Sequence, residues 1–211
     1  MKKIAFLFDK TNDWISQYFP EALKASQKFD VCVFYEEEKI QNFDLVFVLG
    51  YTKILKGKIL SSNKLLLVVH ASDLPDGRGF APVQWQILEG KSDITVCLLE
   101  VSDDVDAGNI FDKLILSLDG SELYEEIRQK QAVITFELIS RFLKRYPNLN
   151  FEMQQGMPTF YRKRTSSDSQ LDLDKTIRDQ FNLLRICNNE DWPAFFELNG
   201  VRYTLKIDKV K

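Results

Sequence analysis

Lys64-Leu65-Leu66-Leu67-Val68-Val69 is an apolar run without alternation, followed at once by His70. A strand with one wet face alternates apolar and polar side chains, whereas a run like this suits a strand covered on both faces. Three upstream stretches share the pattern: Lys3–Phe8 (KIAFLF), Val31–Tyr35 (VCVFY) and Leu45–Leu49 (LVFVL). Between them, Trp14–Phe29 has helical spacing and Ile54–Leu60 reads as a short helix. Downstream, a loop with Pro75, Gly77 and Gly79 leads into a helix over Pro82–Leu88, then strands over Ile94–Val101 and Ile110–Leu118. The longest helix spans Glu122 to about Arg145, with Leu123, Ile127, Ile134, Leu138 and Phe142 along one face. This order predicts an α/β fold with a mainly parallel sheet and helices on both faces.

Composition changes after Tyr146-Pro147. Asn148–Asp174 is polar and reads as an extended arm, Lys175–Arg185 as a short helix, and Phe195–Ile207 as a β-hairpin turning at Asn199-Gly200. The expected division is an α/β domain over 1–147 and an arm, helix and hairpin over 148–211 packed on it. With 211 residues and 45% hydrophobic content, the chain can bury a sizeable core. Its 28 basic and 31 acidic residues, net charge −3, argue against nucleic acid as the main partner. No signal-like segment or membrane-length apolar run is present, and Cys32, Cys97 and Cys187 are odd in number and scattered. That pattern fits reduced core thiols in a cytoplasmic protein. One histidine and no Cys-x-x-Cys leave no expected metal site.

His70 stands at the carboxyl end of a sheet strand, where open α/β sheets gather their ligands. Asp103-Asp104-Val105-Asp106-Ala107-Gly108-Asn109-Ile110 lies between two later strands and can bring a carboxylate to the same edge. An imidazole beside a carboxylate suits acyl transfer to an amine, since one group takes the ammonium proton while another steadies the acyl oxygen. By position alone, His70 reads equally as a satisfied loop histidine and the acidic stretch as a solvated turn.

Val68-Val69-His70-Ala71-Ser72-Asp73-Leu74-Pro75, then Gly79 and Pro82, then Thr95-Val96-Cys97, then Asp106-Ala107-Gly108-Asn109-Ile110 form an ordered set. The set resembles the 10-formyltetrahydrofolate-dependent formyltransferases built on a Rossmann-like domain. Their pattern is Asn-x-His-Pro-Ser-x-Leu-Pro, a glycine and a Pro-containing helix, Thr-x-His and Asp-x-Gly-x-Ile. Gln155, Thr159–Arg164, Leu171-Asp172 and Asn182–Arg185 resemble the family's arm, so the likeness covers nearly the whole chain. The resemblance implies His70 and Asp106 as catalytic residues. It departs at Val68, where the family carries an asparagine that holds the formyl oxygen; losing one such donor can cost about 10²–10³ in rate. Trp85-Gln86-Ile87-Leu88-Glu89-Gly90 is similar to a helix of a sugar N-formyltransferase subgroup with this altered motif.

The resemblance further implies a folate cleft between Gly50, Tyr51, Lys53, Ile54 and Leu55 on one side and Val101, Asp103, Asp104 and Val105 on the other. The expected acceptor is a nucleotide-linked amino sugar, a UDP- or dTDP-linked 4-amino-4,6-dideoxyhexose, with a UDP-linked sugar of the pseudaminic-acid type favoured. Ser72, Asp73, Gly79 and Gln84 are its candidate contacts. Arg162 and Arg164 could meet the phosphates, and Tyr161 or Trp192 could stack on the base; the basic trio Arg162-Lys163-Arg164 also reads as a solvated patch. The hairpin's free edges suggest a homodimer. Two other readings are a methionyl-tRNA formyltransferase-like enzyme, whose known forms carry a further C-terminal barrel, and a non-catalytic folate or nucleotide-sugar binder.

Overall fold

The computed structural model describes residues 1–210. β1 (Lys2–Phe8), β2 (Phe29–Phe34), β3 (Leu45–Leu49), β4 (Leu66–His70), β6 (Asp93–Glu100) and β7 (Ile110–Ser117) form one sheet in the order β2-β1-β3-β4-β6-β7. The first four run parallel; β6 is antiparallel to β4 and β7 antiparallel to β6. Only β6 therefore runs against the rest, so the mainly parallel sheet has a mixed edge.

The unbroken apolar runs have a direct cause. Successive side chains leave a strand on opposite faces. Ile4, Phe6 and Phe8 of β1 enter a large core with Phe47, Leu67 and the helices α3 (Pro82–Leu88) and α4 (Tyr124–Arg145). Ala5 and Leu7 enter a second core with Val46, Val48, Ile40 and Ile59, the last from α2 (Lys58–Ser61). Both faces are covered, so neither set can be polar.

Two expected helices are shorter than their spacing suggests. The stretch 14–29 holds only a 3-10 turn at Ser16–Tyr18 and α1 (Glu21–Lys24). Pro20 separates them: the residue before a proline is pushed to extended backbone, and Phe19 has ψ 119°. In 54–60, Gly57 takes φ +70° and delays α2 to Lys58, leaving Ile54 and Leu55 in a loop. α4 has 22 residues and ends where Tyr146, before Pro147, turns extended at ψ 133°.

The C-terminal part closes over the sheet's edge. β5 (Arg78–Gly79) pairs with β8 (Phe160–Tyr161), tying the loop after His70 to the arm. The expected helix over 175–185 is confined to α5 (Phe181–Arg185), whose Arg185 is buried 3.4 Å from the buried Glu122. β9 (Ala194–Leu198) and β10 (Val201–Leu205) form the hairpin, and Asn199 and Gly200 take φ 52° and 78° as a type I′ turn requires. Among the described residues, no helix is long and apolar enough to cross a membrane.

Candidate functional site

β4 alternates like the other strands: Leu67 and Val69 face the large core, Leu66 and Val68 the opposite side. His70, the last residue of β4, ends the second series and is 6% exposed. Asp106 reaches it by an indirect path. Because β6 is antiparallel, the loop after it begins at the wrong end of β4, where the Val101 N–H donates to the Leu66 carbonyl. Leu66 and His70 are four residues, roughly 13 Å, apart along the strand. The loop must double back to cover that span.

Gly108 permits the return. A Cβ there would lie 1.9 Å from the Glu100 carbonyl oxygen, so only glycine lets the loop pass. Asp106 itself sits in the left-handed region at φ +51°, uncommon for a non-glycine residue and often found at functional sites. From the arm, the Gln154 amide donates to the carbonyls of Asp106 and Gly108 at 2.8 and 3.0 Å, and Arg78 donates to its oxygen. The resemblance drew attention to Gln155; its neighbour Gln154 makes these contacts.

Asp106 Oδ2 accepts from the Gly79 N–H at 2.9 Å and lies 3.3 Å from His70 Nδ1. His70 Nε2 lies 2.8 Å from the Gly77 carbonyl. A carbonyl only accepts, so Nε2 must carry a proton and donate it. Nδ1 then faces a carboxylate oxygen, an arrangement suited to sharing one further proton between ring and carboxylate. Asp106 Oδ1 has no hydrogen-bond partner among the described residues.

His70 and Gly79 line a cavity of about 490 Å³ at the carboxyl edge of the sheet; Asp106 is not on its wall. Other walls come from Thr11, Asn12 and Trp14 after β1, from Gly50 and Tyr51 after β3, and from Gln84, Arg128, Arg164 and Trp192. Asp9, 2% exposed, fixes the first two walls together: its carboxylate accepts from the N–H groups of Thr11, Asn12 and Thr52 and from the hydroxyls of Thr11 and Thr52. Burial would raise its pKa, but the Thr52 and Thr11 hydrogen bonds outweigh that and hold it well below the usual carboxylate range. The lining contains Arg128, Lys163 and Arg164 and no Asp or Glu.

Of the other sequence candidates, Gly50, Tyr51, Gly79, Gln84, Arg164 and Trp192 line this cavity, and the rest lie off its wall. Val101, Tyr51 and Leu55 all pack against the second core, so both segments expected at a folate cleft border that core. Ile54 and Val105 stay exposed on them, as do Lys53, Asp103 and Asp104. Ser72 is buried with an unpartnered hydroxyl and, like Asp73, lies off the cavity wall; Asp73 is 3.7 Å from Lys113. Tyr161 and Arg162 do not reach the cavity. Tyr161 stacks on Trp85 and donates to Glu89, while Arg162 lies over Trp85 and pairs with Asp168. Val68 sits among Leu74, Cys97, Leu99 and Ile110, an apolar setting whose one side-chain donor, the Cys97 thiol, is committed to the Ser72 carbonyl. Cys97, where the resemblance carries a histidine, is fully buried, and burial pushes its thiol up to about 11. Thr11, Asn12, Trp14 and Arg128 were not among the sequence candidates; a loop and the polar side of a helix gave no signal for them. No group of three or more potential metal ligands occurs among the described residues.

Comparison with known proteins bears on this geometry. Residues 7–142 match the model of the family described as formyl transferase. Methionyl-tRNA formyltransferase of Francisella philomiragia is 28% identical over 159 residues, 74% of this chain and 50% of that protein. The chain spans about half the length of the curated relatives it matches. Among solved structures, methionyl-tRNA formyltransferase from Clostridium thermocellum superposes with a TM-score of 0.78 at 20% identity, covering 100% of this chain and 94% of the other. A 4-N formyltransferase from Francisella tularensis gives 0.77 at 18% identity, covering 99% of each chain. The structural likeness shows a shared fold, and the sequence match shows more: this chain belongs to the formyl transferase family.

Proposed function

We propose that the chain transfers a formyl group from 10-formyltetrahydrofolate to the amine of a nucleotide-linked amino sugar in the cytoplasm. The observation that carries this reading is the His70–Asp106 pair set beside a 490 Å³ cavity whose charged lining is cationic. That volume suits a small molecule. Arg128, Lys163 and Arg164 without a facing carboxylate suit a diphosphate, and the exposed Trp192 on the rim suits a base. The fold is shared over the whole length of a sugar N-formyltransferase from Shewanella sp FDAARGOS_354, which is in keeping with an amino-sugar acceptor.

10-Formyltetrahydrofolate supplies the formyl carbon. Gly50–Leu55 and Val101–Val105 would hold it, because Gly50 and Tyr51 share the cavity wall with His70, Val105 directly precedes Asp106, and the two segments expose the apolar side chains Ile54 and Val105. The acceptor amine must lose a proton as it attacks the formyl carbon. Asp106 Oδ1, free of other bonds, would take it, and Oδ2 with His70 Nδ1 would spread the gained charge over the pair. As the bond between the formyl carbon and folate N10 breaks, the pair would return that proton to the leaving N10, giving tetrahydrofolate and the formylated amine. Gly79 N–H and the Gln154 brace keep the carboxylate aimed. Such positioned proton transfer contributes about 10²–10⁴ in rate. With Val68 in the asparagine position, backbone donors at the sheet edge must meet the developing oxyanion. The hairpin, with Leu198, Val201 and Tyr203 exposed, is the surface through which two copies would pair.

The curated relatives favour a second reading, formylation of methionyl-tRNA. One assay separates the two. The protein is incubated with 10-formyltetrahydrofolate and either a panel of UDP- and dTDP-linked amino sugars or charged initiator tRNA, and products are weighed by mass spectrometry. A formylated sugar is expected; formylation of the tRNA alone would replace the sugar reading.

A further inference from the structure

Arg128 lies on α4 at the cavity wall, held by rings and neutral amides rather than by a carboxylate. Its guanidinium carbon is 4.4 Å from the Trp14 ring centre and 5.1 Å from that of Tyr124, so the planar group is held between two aromatic side chains. Nη1 donates to Gln131 at 3.1 Å. With the Gln84 amide oriented so that its oxygen faces the guanidinium, Nη2 donates to it at 3.2 Å while the amide nitrogen donates to the Ala81 carbonyl. Nε is buried and has no partner. None of the ion pairs formed by the described residues includes Arg128.

Charges removed from water are ordinarily paired, and an unpaired one is costly. Arg185, the fully buried arginine, follows that rule with Glu122; the exposed Arg162 has Asp168 and Arg141 and Arg145 share Asp112, while among the described residues Arg78 donates only to the Gln154 amide. Arg128 has two neutral amides and two rings instead. Those contacts fix the plane of the fork without neutralising it, leaving N–H groups and a full positive charge for the cavity. Arg164, also on the wall, repeats the pattern in weaker form, with an unpartnered buried Nε and one bond to the Asp168 carbonyl.

We infer that Arg128 is the fixed anion anchor of the acceptor site, taking the diphosphate of a nucleotide-linked substrate, with Arg164 closing on it from the arm. This deepens the proposed function and rests on it for the identity of the acceptor. A planar fork held in advance loses little freedom on binding and reads paired phosphate oxygens bidentately, which a lysine cannot do. The anchor would set where the sugar amine falls relative to His70, so it acts on acceptor binding.

The test uses calorimetric titration of the full chain with inorganic pyrophosphate, UDP and dTDP, and separately with tetrahydrofolate. Arg128→Met, which keeps a stem of similar reach between the rings without charge, should bind pyrophosphate and the nucleoside diphosphates about 10- to 100-fold more weakly. Arg128→Lys, which keeps the charge without the fork, should fall between. Tetrahydrofolate affinity should not change in either. Equal pyrophosphate and nucleotide affinities in wild type and both variants would overturn the assignment. So would parallel losses for tetrahydrofolate, which would make Arg128 a packing residue. Pyrophosphate binding reads the anchor on its own. An absence of tetrahydrofolate binding and of formyl transfer would instead refute the formyl-transfer reading and leave the anchor measurable.

Discussion

Gly108→Ala attacks the proposed catalytic pair, His70 and Asp106, through the backbone that delivers Asp106. An added Cβ would stand 1.9 Å from the Glu100 carbonyl oxygen and 2.8 Å from its carbonyl carbon. Carbon and oxygen in close non-bonded contact stay about 3.3 Å apart, so one side must move by more than an ångström. β6 lies inside the sheet between β4 and β7, and the Glu100 N–H is tied to the Asn109 carbonyl at 2.9 Å, so the loop must yield. Asp106 is two residues away, and its Oδ2 is only 3.3 Å from His70. A misplacement of this size at a reacting group costs about 10² in rate, and overpacking of this kind costs about 1–3 kcal/mol in stability. At roughly 2–4 °C per kcal/mol for a chain of this size, melting should fall by up to about 10 °C. The assay is steady-state formyl transfer at saturating donor with the acceptor varied, alongside a thermal melt by circular dichroism. Reduced kcat with unchanged acceptor KM is expected, because the cavity wall does not include residues 101–108. A variant with wild-type kcat and wild-type melting would refute both the tight return of the loop and its role in presenting Asp106.

Other perturbations probe the frame around the site. Glu122→Ala leaves Arg185 buried without a carboxylate and should destabilise by about 3–5 kcal/mol in chemical denaturation; Arg185→Ala should cost less, because Lys130 still pairs with Glu122. Acid should unfold the chain in a predictable window. The Asp9 carboxyl is held well below the usual range, and Lys64 with the Lys3 N–H holds Asp44 down to about 2. Groups depressed from about 3.9 stabilise the fold above that pH and lose the contribution as pH falls through their folded values. Melting temperature should therefore be level from pH 7 to about 5 and fall from about 4 toward 2. Asp9→Asn should lower stability at neutral pH by roughly 1.5–3 kcal/mol through lost charge-assisted bonds and make the acid limb shallower; an unchanged limb would remove Asp9 from the account.

The parts of this molecule written into local sequence were legible. Apolar runs such as KLLLVV and LVFVL report coverage on both faces, and Asn199-Gly200 between alternating runs reports a hairpin, because the cause lies within a few residues. The broken helix over 14–29 also had a local sign in Pro20, which spacing alone overrode. What the sequence concealed depends on partners far along the chain. That β6 opposes β4 is a matter of pairing, so the doubling back of 101–109 could not be read from the acidic stretch itself. Tyr161 and Arg162 looked free for substrate until Trp85, Glu89 and Asp168 were brought against them. Arg128 sits among the polar residues of α4, and the approach of Trp14 and Gln84 from distant parts of the chain distinguishes it.

The central claim is that Asp106 takes the proton from the attacking amine while His70 shares the resulting charge. Single-turnover formyl transfer by wild type and Asp106→Asn, with donor and acceptor prebound and product followed by mass spectrometry, tests it most directly. The account predicts a chemical step slowed by about 10²–10⁴ with acceptor and tetrahydrofolate affinities unchanged. A variant that transfers formyl at close to the wild-type single-turnover rate would contradict it.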